Sequence, residues 1–201
     1  HLYAWFLYGL MTIQWSFDKD FLQLIRYHKN GLLKIQKRNF TNQMALLIFY
    51  KVIYYAYALV LPLIFLDNWW FVLIGYFTMH YTAGLILSIV FQCAHVMEPN
   101  DFNSPNEIRA VDKNWFVHQL NTTCNFAMNS KLLSWFIGGL NFQIEHHLFP
   151  NICHIHYKKI SKIVQSTAQE FNVPYKSYKN MFSAVRSHYK FLKHLGSYKM
   201  A

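Results

Sequence analysis

Four histidines, His146, His147, His154 and His156, fall within eleven positions of the stretch "GGLNFQIEHHLFPNICHIHY", Gly138 to Tyr157. Placed on a helix, "QIEHH" sets Gln143, His146 and His147 at i, i+3 and i+4, on one face. Glu145 points elsewhere. Two adjacent imidazoles with an amide one turn back make half of a metal site. Neutral imidazole suits iron, zinc or copper, and two such donors do not complete a shell. His154 and His156 alternate, do not share a helical face, and read as hydrogen-bonded turn residues.

His95 is a second candidate ligand, because it closes a long apolar run at a polar boundary, where an ionisable residue points to function. Gln92 lies three residues earlier on the same face. His118 is a third, and for it a ligand role and a structural role both stay open. On a helix, His118, Thr122 and Asn125 would line one side, with Asn125 available to support a ligand. His28, His188 and His194 read as solvated surface, and His80 as a packing residue against Tyr81 or a neighbouring helix. The zinc protease pattern H-E-x-x-H is absent. So are a G-x-S-x-G elbow and a glycine-rich phosphate loop. Cys93, Cys124 and Cys153 form no C-x-x-C and read as reduced thiols.

The elements that must carry these residues are helices, and the fold class expected is all-α. Residues 1–43 read as an interfacial, amphipathic, cytosolic segment. Its apolar start, Leu2–Trp15, is too short for a span of ~20 residues, and Phe21, Leu24 and Ile25 recur at helical spacing. Residues 44–95 read as a transmembrane helical hairpin. Its first arm, Met44–Leu66, carries one charge, Lys51, and a kink at Pro62. "DNWW" turns the chain with Trp69 and Trp70 at headgroup level, and the second arm is Phe71–His95. Residues 96–201 read as a cytosolic cap. It opens with a loop, Glu98–Ile108, followed by helices over Asn114–Phe126, Ser130–Phe149 and Tyr157–Val173. A basic, aromatic tail ends it. The lysine- and arginine-rich segment before the hairpin makes its side cytosolic.

Composition narrows the function classes. Of 201 residues, 54% are hydrophobic and 14% charged, with a net charge of +10. That excess suits an anionic membrane face better than nucleic acid, and no arginine-rich, base-stacking patch is present. The chain begins at His1, already within apolar sequence, and is expected to be a piece of a longer protein.

"GGLNFQIEHHLFP" resembles the third histidine box of the membrane fatty acid desaturases, H/Q-x-x-H-H. Gln143 stands in the first position, as in front-end and linoleoyl-CoA-type members. "FQCAHVMEP" and "HQLNTTCNF" resemble further family stretches, and the likeness covers essentially the whole chain. It implies a di-iron centre held mainly by histidines at the cytosolic face of a multi-pass helical membrane domain. His95, His118, His146 and His147 would be ligands, and Gln143, Gln92 and Asn125 their supports. It further implies O2 as oxidant and electrons from a cytochrome b5-like protein or a ferredoxin. The substrate would be a fatty acyl chain (acyl-CoA or acyl-lipid) that receives a cis double bond. The family's first two boxes, H-x-x-x-H-like and H-x-x-H-H, do not occur. The resemblance therefore implies a C-terminal part with an incomplete two-iron site, inactive alone. Two alternatives stay open: a related lipid hydroxylase, and a non-catalytic membrane protein whose histidines face backbone carbonyls or solvent, away from His95.

Overall fold

The computed structural model describes residues 1–97 and 114–197, which are mostly helical. The loop expected over Glu98–Ile108 lies outside the described residues. Contacts divide the chain into two compact units, Leu2–Ser88 and Ile89 onward with His1.

The first unit contains α1 (Tyr3–Gly9), α2 (Met11–Gln14), a π-helical turn at Trp15–Lys19, α3 (Asp20–Lys29) and α4 (Leu32–Ile35). Then come α5 (Phe40–Tyr55), a second π turn at Ala56–Val60, α6 (Leu61–Phe65), and α7, which starts at Trp69 and runs to His95. Asn39 caps α5 by accepting from the Asn42 amide. Phe40–Phe65 and Trp69–His95 are long and apolar enough to cross a membrane. Their outward residues, among them Phe49, Tyr57, Ile64, Phe71 and Ile74, are exposed apolar side chains. The second π turn has a local cause. Pro62 has no N–H to give to the carbonyl four residues back, at Ala58, so the helix widens there instead of ending.

Several polar groups in this unit find partners on neighbouring elements. The lone charge of the first apolar helix, Lys51 Nζ, sits 2.8 Å from Asp20 and donates to the carbonyls of Ser16 (2.7 Å) and Trp15 (3.2 Å). Those carbonyls belong to the first π turn, where the regular ladder is broken. The face of α7 carrying His80, Gly84 and Ser88 receives α1 and α2. Thr12 Oγ1 donates to the His80 carbonyl at 2.6 Å, and Ser88 Oγ to the Tyr8 carbonyl at 3.2 Å. A Cβ on Gly84 would stand 2.5 Å from the Gly9 carbonyl oxygen, so the backbones meet where both residues are glycine. His80 meets the other apolar helix, one of its two expected partners, through the Tyr54 hydroxyl, and its second ring nitrogen pairs with the Thr12 hydroxyl.

The second unit takes the last residues of α7 and adds α8 (Trp115–Thr122), β1 (Asn125–Phe126), α9 (Lys131–Phe136) and α10 (Gln143–Leu148). A 3₁₀ turn at His154–His156, α11 (Tyr157–Glu170), β2 (Ser177–Tyr178) and α12 (Met181–Ser197) complete it. β1 and β2 pair in parallel, Asn125 opposite Ser177, a small departure from all-α. One cluster gathers Val90, Cys93, Ala94, Met97, Cys124, Phe126 and Ala184, and another Leu120, Ile144 and Val164. All three cysteines are free thiols.

Two expected boundaries change. The helix begun at Asn114 stops at Thr122, because Thr123 is extended and the Cys124 amide bonds the Ala94 carbonyl at 2.9 Å. The stretch Ser130–Phe149 breaks in two at Gly138 (φ 60°) and Gly139 (φ 74°). The Gly139 amide reaches back to the Ser134 carbonyl at 2.7 Å and closes α9. A Cβ on Gly139 would come within 2.8 Å of His154 Cβ, so only glycine suits that place. The basic tail contributes α12, which buries Ala184, Ser187 and His188.

Candidate metal centre

α10 is six residues long, too short to hold itself together in water. Burial holds it. Gln143, Ile144 and Glu145 are all buried, and Ile144 packs with Leu120 and Val164. Gln143, His146 and His147 occupy the face expected of them, and Glu145 the side behind.

His147 Nε2 lies 3.3 Å from His95 Nε2, with the rings nearly perpendicular at 79° and their centroids 4.9 Å apart. The His95 ring also hydrogen-bonds the Thr122 backbone, which fixes its orientation. Burial first, then the neighbouring His95 and His146, push the His147 imidazole down to about 4. It is neutral at physiological pH, with a lone pair to give. His146 turns its Nδ1 to the Tyr157 hydroxyl at 3.4 Å, and its ring centroid is 5.7 Å from that of His147. Burial raises the Tyr157 hydroxyl, which stays protonated.

The other candidates fall as follows. His118 lies on α8 with Nδ1 buried and without a hydrogen-bond partner, and the Gln143 Nε2 is buried and unpartnered too. Gln92 is half-buried on α7. Asn125 is not on the helix of His118 but on β1, because α8 has already ended. His154 and His156 are exposed in the 3₁₀ turn. His28 is exposed beside Phe40, and His194 is exposed too. His188, expected at the surface, is fully buried, with its Nδ1 2.7 Å from the Val96 carbonyl oxygen. The helical stripe of α12 turns it inward. Among the described residues no group of three or more His, Cys, Asp or Glu is placed to share one ion.

Sequence reasoning passed over Glu145, Tyr175 and Asn141. Glu145 is fully buried, its Oε2 accepting from Asn125 Nδ2 and its Oε1 from the Tyr175 hydroxyl, both at 2.8 Å. Burial raises its carboxyl, and the two donors act against that rise. Burial and Glu145 together push the Tyr175 hydroxyl up. Asn141, also fully buried, donates to the Ser134 hydroxyl at 2.9 Å and braces the loop ahead of α10. A carboxylate inside an otherwise apolar, amide-rich stretch was the available signal.

The family model for fatty acid desaturase matches residues 1–179. The chain belongs to that family. It is 37% identical over 197 residues to the sn-1 linoleoyl-lipid 6-desaturase of Synechocystis sp., covering 96% of this chain and 54% of that desaturase. It is 34% identical over 195 residues to the enzyme of the same name from Arthrospira platensis, covering 96% and 52%. With the acyl-lipid (8-3)-desaturase of Physcomitrium patens it shares 36% over 199 residues, covering 98% and 40%. The chain thus spans about half the length of these desaturases. No solved structure is significantly similar to it.

Proposed function

We propose that the protein is a membrane-embedded acyl-lipid desaturase that uses O2 to place a cis double bond in a fatty acyl chain. The observation that carries this is the pair His95–His147, two ring nitrogens 3.3 Å apart, in a family of desaturases. Relatives named for linoleoyl-lipid and acyl-lipid substrates favour a lipid-linked acyl chain over acyl-CoA.

The residues fit iron. His147 is neutral, His95 faces it, and the buried Nδ1 of His118 lacks a hydrogen-bond partner. Paired imidazole nitrogens suit iron, and the buried, unpartnered His118 Nδ1 is a further imidazole nitrogen in the same unit. His95, His118, His146 and His147 would hold part of a two-iron centre, with Gln143, Gln92 and Asn125 supporting them. Iron, when bound, supplies the activation of O2 that lets two hydrogens leave adjacent CH2 groups.

The chain's own residues prepare that chemistry. Thr122 orients the His95 ring, and the Tyr157 hydroxyl meets His146. Burial of Ile144 and Glu145 keeps water from the back of α10. The two apolar helices would sit in lipid as a hairpin between residues 44 and 95, placing His95 at the cytosolic rim. Segments 1–43 and 96–201 would lie on that side as interfacial stretch and cap. The basic surface suits an anionic headgroup or an acidic electron donor, a cytochrome b5-like protein or a ferredoxin. The alternative of structural histidines predicts His147 turned away from His95, and the 3.3 Å approach weighs against it.

The test uses the full-length protein in a desaturase-deficient membrane host. Iron per protein is measured beside the fatty acid methyl esters of the cells. About two irons and a new unsaturated chain are expected, with both lost in His146→Ala and His147→Ala. Absence of iron, with identical lipids in all strains, overturns the reading.

A further inference from the structure

The residue behind the histidines is held more completely than the histidines themselves. Asn125 spends its whole side chain on this. Its Nδ2 donates to Glu145 Oε2 at 2.8 Å and to the Tyr175 hydroxyl at 2.7 Å, and its Oδ1 accepts from the Ile144 amide at 2.9 Å. The Tyr175 hydroxyl donates in turn to Glu145 Oε1 at 2.8 Å. Every polar atom of the triangle is used, so the grip is directional.

The two gripping residues come from one device. Asn125 is on β1, Tyr175 stands two residues before β2, and the Asn125 amide bonds the Lys176 carbonyl at 3.0 Å. On a helix turning about 100° per residue, Glu145 lies roughly opposite the face shared by Gln143, His146 and His147. Rotation of α10 would swing those rings away from His95 and pull Glu145 from its donors. α10 has no cap of its own to resist this, since Phe142 at its N-terminus makes no side-chain bond.

We propose that Glu145, held by Asn125 and Tyr175, is a positioning residue that fixes the rotational setting of α10, and so the approach of His147 to His95. This rests on the reading of His95 and His147 as iron ligands and adds the group that orients them from behind.

The experiment binds Co(II) and Fe(II) to the full-length protein in detergent, reading affinity by titration and geometry by the Co(II) ligand-field spectrum. Thermal unfolding of the metal-free forms is recorded alongside. Glu145→Ala is expected to lose about 10–100-fold in metal affinity and to change the Co(II) spectrum. Glu145→Gln keeps the length and one acceptor oxygen and should recover most of the affinity. Tyr175→Phe, which removes one hydroxyl and leaves the site's own helix intact, should give a smaller loss with a shifted spectrum. It keeps the proposal testable if Glu145→Ala does not fold. Affinity and spectrum unchanged in Tyr175→Phe and Glu145→Ala, whatever the unfolding temperatures, overturn the proposal alone. Equal losses in Glu145→Gln and Glu145→Ala also overturn it, because charge rather than grip would then matter. A full-length protein that takes up neither metal overturns both this proposal and the iron reading.

Discussion

The two units solve the placement of polar groups in opposite ways. In Leu2–Ser88, large apolar side chains such as Phe49 and Ile64 face outward, and several polar atoms inside bond one another across neighbouring helices. Lys51 with Asp20 and the Ser16 carbonyl, and His80 with Tyr54 and Thr12, are examples. From Ile89 onward the apolar side chains go inside, and Glu145, Asn125, Asn141 and His188 are buried among them. The first arrangement is the one an apolar solvent favours, where every backbone and side-chain dipole needs a partner within the protein. In the second, buried polar groups such as Glu145, Asn125 and His188 offset their desolvation with hydrogen bonds. The difference teaches where precision resides: the first unit supplies surface, the second supplies orientation.

The comparison breaks first at its most buried ring. Phe126→Ala, emptying a fully buried site, should cost about 3–5 kcal/mol, while Phe49→Ala, on an exposed face, should stay within about 0.5 kcal/mol. Denaturant midpoints in detergent would show it, and similar losses at both positions would deny the contrast. Gly84→Val sharpens the first unit, since its Cβ would meet the Gly9 carbonyl oxygen at 2.5 Å. A loss of about 1–3 kcal/mol is expected, against little change for Gly75→Ala beyond helix propensity, because nothing stands near Gly75. The smallest effect is a pH slope from His188. Burial lowers its ring below the free value while the Val96 carbonyl pulls the other way. A lowered folded value means that the unfolded chain binds the extra proton. Stability is therefore full above about pH 6.5 and declines as pH falls through the lowered value. His188→Gln should flatten that decline in thermal melts taken across the window.

Much of this was legible in the residues. The apolar runs around Met44–Leu66 and Phe71–His95 announced their helices because length and hydrophobicity speak locally. The "QIEHH" face was readable because helical spacing is fixed. What escaped were facts of tertiary origin. Glu145 looked like a residue pointing away, and it does, but what lies behind it comes from β1 and from Tyr175. His188 looked solvated because a single histidine in a basic segment carries no mark of the carbonyl that meets it. The break at Gly138 and Gly139 was visible as a glycine pair, yet the apolar residues on either side made one helix look continuous. Asn125 was placed on the wrong element because the end of α8 is set by a bond to Ala94, not by any stop signal in its own turn.

The grip on α10 also has a consequence in time. Tyr175 follows Glu145 by 30 residues in the chain. At synthesis rates of about 5–20 residues per second, the histidine helix waits roughly 2 to 6 s for its last fastening. During that interval His146 and His147 stand on a helix that lacks the Tyr175 hydroxyl behind it. On the proposed reading, a ribosome stalled before Tyr175 would leave a histidine helix not yet fastened from behind, and a nascent chain that binds metal more weakly than the finished one.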